Sequence, residues 1–152
     1  MSWVRVYIHL VFSTKNREPF LNSSEIRKAV FQHIKQNAKE KGIWLDSVNG
    51  WNDHAHCLIS LGGEQTISKV AQMIKGESSF WINHNNIINN KFTWQDDFWA
   101  VGVSERNAQS VRNYIHRQEE HHNKESFTKE VNDFMVKYGW SYVQEADQKT
   151  TS

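Results

Sequence analysis

The patterns along this 152-residue chain predict an α+β fold: a ferredoxin-like βαββαβ antiparallel sheet with its helices on one face, then a C-terminal tyrosine-bearing helix and a final helix. Three observations carry the expectation. Apolar and polar side chains alternate over residues 3–13 and again over 53–61, the period of a strand buried on one face. Two segments lying between strand-like runs repeat apolar residues at helical spacing. The order along the chain is strand, helix, strand, strand, helix, strand, which is the split βαβ unit.

Each element has its own signal. In the first strand, Val4, Val6, Ile8, Leu10 and Phe12 share one face, and Trp3, Arg5, Tyr7 and His9 share the other. A polar loop over 13–19 follows. Ser23 or Ser24 then caps a helix running to about Lys41, with the stripe Ile26, Val30, Ile34 and Ala38 and a stop at Gly42. Residues 43–48 read as a second strand, and Asn49-Gly50 as a hairpin turn. The third strand, 53–61, stops at Gly62-Gly63. Ile67, Val70, Ala71 and Ile74 mark a second helix continuing through Ile82, with a helix end and loop over the asparagine-rich 83–90. Residues 98–103 form the fourth strand, and Ser104 caps a helix expected to continue to His122. A last helix is expected over 128–138, closed by Gly139. One domain spans 1–144, and the polar residues 145–152 read as a flexible tail.

Composition narrows the possibilities without choosing a function. A net charge of +1 does not by itself announce a nucleic-acid binder, although a local basic groove is compatible with it. Cys57 is the single cysteine and lies on the apolar side of its strand, so a buried thiol is expected and a disulfide is not. No apolar run approaches the ~20 residues that span a bilayer. The start of the chain lacks the pattern of a signal peptide, so the cytoplasm is the expected compartment, with no membrane partner.

The third strand holds the most informative residues. His54 and His56 point to the face opposite Ala55, Cys57, Ile59 and Leu61, roughly 6.5–7 Å apart along the strand. Two imidazoles at that spacing can lean onto one cation; two solvated histidines on a half-exposed strand give the same pattern. Sixty residues on, Tyr114 and Gln118 stand four apart, and so share a helix face beside the packing stripe Ala108, Val111 and Ile115. An aromatic at helical spacing more commonly packs a core. If this helix instead crosses the open face of the sheet, the Gln118 amide oxygen reaches a cation held by the histidines, with Tyr114 one turn away. A metal there would polarise a phosphate, and the phenol could attack it to form a phosphotyrosine ester. The chain has no glycine-rich phosphate loop, in keeping with chemistry that needs no nucleotide. His116, His121, His122, Glu119 and Glu120 spread around their helix and read as a polar face.

Three runs in order, His9-Leu10-Val11-Phe12-Ser13-Thr14-Lys15-Asn16-Arg17, Asn52-Asp53-His54-Ala55-His56 and Asn113-Tyr114-Ile115 followed by Gln118-Glu119-Glu120-His121-His122, span most of the chain. Together they resemble the HUH single-tyrosine transposases of the smallest bacterial insertion sequences and their REP-associated relatives. The resemblance implies a metal-dependent transposase that recognises hairpins in single-stranded DNA, then cleaves and rejoins the strand through a 5′-phosphotyrosine. It implies His54, His56 and Gln118 as ligands of Mg²⁺ or Mn²⁺ and Tyr114 as nucleophile. It also implies a homodimer, with active sites that can be shared between subunits. Lys15, Arg17 and Arg112 are the candidate phosphate contacts, and Trp51, Trp94 and Trp99 could stack on bases. The alternative on the same fold is a non-catalytic module binding single-stranded nucleic acid.

Overall fold

The computed structural model describes residues 2–122 and, beyond them, Lys129, Asp133 and Val136, each in helical conformation. Strands β1 (Val6–Ser13), β2 (Trp44–Trp51), β3 (His54–Leu61) and β4 (Trp99–Val103) are interleaved with helices α1 (Ser24–Glu40) and α2 (Ile67–His84). Helices α3 (Ala108–His116) and α4 (Gln118–His122) follow. The sheet order is β2-β3-β1-β4 with every neighbouring pair antiparallel, as the split βαββαβ unit requires. The chain divides into two compact units, Met1–Glu119 and Glu120–Ser152, and all the candidate site residues belong to the first.

Local chemistry accounts for the elements. The Ser23 hydroxyl accepts from the Ile26 N–H to cap α1, and Gly42, at φ +75°, supplies the left-handed residue that ends it. Thr66 caps α2 in the same way through the Lys69 N–H. One face of the sheet buries Ile8, Leu10, Phe12, Ala55, Cys57 and Ile59 against Val30, Ile34 and Ala38 of α1 and Val70, Ala71 and Ile74 of α2. This is the main core, and it lies on the side the alternation predicts.

Four expectations are corrected. The hairpin turn is Asn52-Asp53, not Asn49-Gly50: β2 runs on to Trp51, which pairs with His54, while Gly50 pairs with Ala55. A Cβ on Gly50 would run into the His54 carbonyl and lie 2.9 Å from the Phe31 ring, so the glycine serves close packing and not a turn. The strand expected from residue 3 begins at Val6, and the strand expected to end at 48 carries a bulge, Leu45 opposing Ile59 while Ser47 opposes Leu58, with Asp46 as the extra residue. The helix expected from Ser104 to His122 is broken. A single 3-10 turn over Glu105–Asn107 leads into α3, and Arg117 separates α3 from α4. The helix expected over 128–138, Lys129, Asp133 and Val136 apart, and the tail over 145–152 lie outside the described residues.

Candidate active site

The second face of the sheet carries Tyr7, His9 and Val11 from β1 and His54, His56 and Leu58 from β3, because residues facing each other across an antiparallel ladder share a face. It is not open to solvent where the histidines lie. Helix α3 lies across β2 and β3, burying Ala108, Val111 and Ile115. Two polar ties fix it there. Arg112 Nε and Nη2 lie 2.7 and 2.8 Å from the Asp46 carboxylate oxygens, and the Asn49 side-chain amide donates to the His116 carbonyl at 3.3 Å. Asp46, the acceptor of the first tie, is the extra residue of the bulge in β2. Arg112 in turn holds the Asp46 carboxyl below the ordinary carboxylate range, chiefly through its hydrogen bonds.

Beneath this helix the imidazoles of His54 and His56 stand 5.1 Å apart, centroid to centroid, with planes 77° apart. Both are buried, His54 completely. Each ring is held at Nδ1. The Asp53 carboxylate lies 2.8 Å from Nδ1 of His54, and His9 Nε2 lies 2.9 Å from Nδ1 of His56. Asp53 itself sits in the hairpin turn, where its carbonyl accepts from the Thr14 N–H at 2.8 Å.

Tyr114 reaches the pair from the last turn of α3. Its half-buried ring stands edge-on to His56 at 5.6 Å and to His9 at 6.1 Å. Gln118 follows the break at Arg117, whose N–H closes back on the carbonyls of Asn113 and Tyr114. Its amide is oriented at both ends: Nε2 donates to the Tyr114 carbonyl at 3.4 Å, and Oε1 lies 3.3 Å from His54 Nε2. The next residue, Glu119, meets Arg27 at 3.2 Å, and Arg27 also donates to Asn52 Oδ1 in the hairpin turn and to the Leu21 carbonyl. One buried guanidinium thus ties α1, the turn before His54 and the residue after Gln118.

The four residues singled out in sequence, His54, His56, Tyr114 and Gln118, therefore meet in one place. Two imidazoles and an amide oxygen are a donor set that suits a divalent cation. Adjacent donors on an octahedral ion with bonds near 2.1 Å stand about 3 Å apart, and the 3.3 Å between His54 Nε2 and Gln118 Oε1 fits that spacing. Among the described residues no group of three or more His, Cys, Asp or Glu is arranged to hold a metal.

The other candidates separate. Lys15 and Arg17 lie exposed on a 3-10 turn after β1, with Asn16 and Arg17 at φ 56° and 53°. The guanidinium of Arg112 is engaged by Asp46. Trp94 is core, edge-on to Phe12 and Phe92, with its indole N–H donated to Ser78. Trp51 lies under Arg27, and Trp99 is half-buried. Cys57 is a fully buried thiol, pushed by burial up to about 12. Sequence reasoning gave His9 and Asp53 no contact with the histidine pair, and it missed Arg27. Alternation put His9 on the correct face, and Asp53 adjoins His54, but no local pattern marks Arg27.

No curated protein matches the chain. Among solved structures it is similar to a Deinococcus radiodurans R1 protein assigned as a transposase, at 20% identity and a TM-score of 0.59 over 77% of this chain and 93% of that one. It is also similar to a REP-associated tyrosine transposase bound to a REP hairpin, at 16% identity and a TM-score of 0.55 over 80% of this chain and 72% of that one. At these identities the likeness establishes the fold. The model of the IS200-like transposases matches residues 2–118, a stretch that contains the sheet, the histidine strand, Tyr114 and Gln118, and so this chain belongs to the IS200-like transposase family.

Proposed function

We propose that this transposase cleaves and rejoins single-stranded DNA through a 5′-phosphotyrosine on Tyr114, after recognising a hairpin. The observation that carries the reading is the convergence of Tyr114 and Gln118 on the histidine pair. A divalent cation, Mg²⁺ or Mn²⁺, held by His54, His56 and Gln118 would polarise a phosphate oxygen and stabilise the charge that develops on it. The Tyr114 oxygen attacks phosphorus, an O–P bond forms, and the bond to the 3′ oxygen breaks. That oxygen takes up a proton and leaves as a 3′ hydroxyl. A phenol with an ordinary pKa of about 10 loses its proton as attack proceeds. Because one phosphoester replaces another, the energy of the linkage is kept, and a second 3′ hydroxyl can reverse the step without a nucleotide.

The relative bound to a REP hairpin supports a DNA hairpin as the partner. Lys15 and Arg17, exposed beside the turn that leads to the histidines, are the side chains we assign to phosphate contact. Arg112 would join them only by leaving Asp46. We include in the proposal a homodimer, with tyrosine segments able to serve either subunit.

The test is an adduct assay. A single-stranded oligonucleotide carrying the hairpin that flanks the gene should become covalently attached in Mg²⁺ or Mn²⁺, and the complex should survive denaturing electrophoresis. Tyr114→Phe should abolish the adduct and leave DNA binding intact. An adduct on the variant would remove Tyr114 from the role. A wild-type protein that binds DNA equally well in EDTA and never forms an adduct would favour a non-catalytic binding module.

A further inference from the structure

We infer that His9 is a positioning residue for His56, fixing both the orientation and the tautomer in which that ring meets a cation. The inference rests on the metal site proposed above. A neutral imidazole has one protonated nitrogen and one lone pair, and it can bind a cation only through the lone pair. What the other nitrogen touches decides which is which.

At His54 the choice is made by a carboxylate. Asp53 can only accept, so Nδ1 of His54 carries the proton, and in the neutral ring that binds a cation Nε2, 3.3 Å from Gln118 Oε1, offers the lone pair. At His56 the corresponding partner, 2.9 Å from Nδ1, is Nε2 of His9. An imidazole nitrogen, unlike a carboxylate, can donate or accept. For His56 to offer its Nε2 lone pair, its proton must sit on Nδ1 and His9 Nε2 must accept it. The proton of His9 then belongs on its own Nδ1. Two rings are set by a single contact.

The placement supports this reading. His56 faces Val11 across the β1–β3 ladder, so His9, two residues before Val11, is its diagonal neighbour on the same face. His9 is fully buried, where a second carboxylate would be costly and a neutral imidazole is not. Its ring also stands edge-on to Tyr114, so it borders the proposed nucleophile as well as the proposed ligand.

Two readouts test the inference. Long-range ¹H–¹⁵N NMR of the metal-free protein should find His56 protonated at Nδ1, and His9→Leu should move that proton toward Nε2. Calorimetric titration with Mn²⁺ should show affinity falling about 10–100-fold in His9→Leu. His9→Gln, whose amide oxygen can still accept, should recover most of it. Nε2–H on His56 in the wild type overturns the inference, as does a His9→Leu protein that binds Mn²⁺ like the wild type. A wild type that binds no Mn²⁺ would instead remove the metal site itself, while the His56 tautomer still decides whether His9 accepts. Should His9→Leu fail to fold, the wild-type tautomer and His9→Gln decide: weak binding by His9→Gln, with the His56 proton on Nε2, would refute it.

Discussion

Gly50 pairs with Ala55 in β3, and the Phe31 ring of α1 packs close to its α-carbon. A glycine suits the position because β3 and α1 leave no room there for a Cβ. An added methyl would meet the His54 carbonyl, backbone that cannot swing aside, and the Phe31 ring. Gly50→Ala should therefore cost about 1–3 kcal/mol, seen as a lower midpoint in thermal unfolding. An unchanged midpoint would mean that β2 shifts without penalty. His54 carries the opposing carbonyl, so the same substitution should also disturb its ring. The contacts of His9 and Asp53 are hidden from the sequence. Each is legible as a residue on the correct face or beside the correct histidine, but the contact each makes depends on register and turn position, which composition does not encode.

At the scale of elements, α3 is held by its apolar stripe and by the Asp46–Arg112 pair. Asp46 has its pKa lowered, so the pair stabilises the fold above the ordinary carboxylate value near pH 4 and loses that contribution as pH falls through the lower folded value. Asp46→Asn should lower stability by about 1 kcal/mol at neutral pH. The gap from wild type should close as pH falls below about 4. Thermal unfolding of both proteins from pH 2.5 to 7 reads this directly. A gap that persists at the acid end would mean that the pair is not the source. Counting helical turns puts Tyr114 and Gln118 on one face, and both meet the histidine pair although the helix is interrupted between them. The interruption carries no glycine or proline to announce it. Its partners, Asn49 at the His116 carbonyl and Arg27 at Glu119, come from elements more than sixty residues away.

For the molecule as a whole, the sheet works as a partition. One side is filled by α1 and α2, the other is roofed by α3 over β2 and β3, and the two-residue period of β1 and β3 tells the sides apart from sequence alone. What the period could not say is that the second side is covered too: His9 and Val11 alternate with Leu10 and Phe12 and are all buried. This has a consequence for access. His54, His56 and Gln118, the residues that would hold the cation, are buried, and a phosphate oxygen has to reach that cation to be polarised by it. If the proposed chemistry holds, DNA must wait for the segment carrying Tyr114 to lift away from β2 and β3, so uncovering precedes cleavage. Hydrogen exchange should then find the amides of α3 opening at lower free energy than those of Ile8 to Phe12 in β1. Exchange in α3 only by global unfolding would mean that the roof does not lift, and that substrate enters by another route.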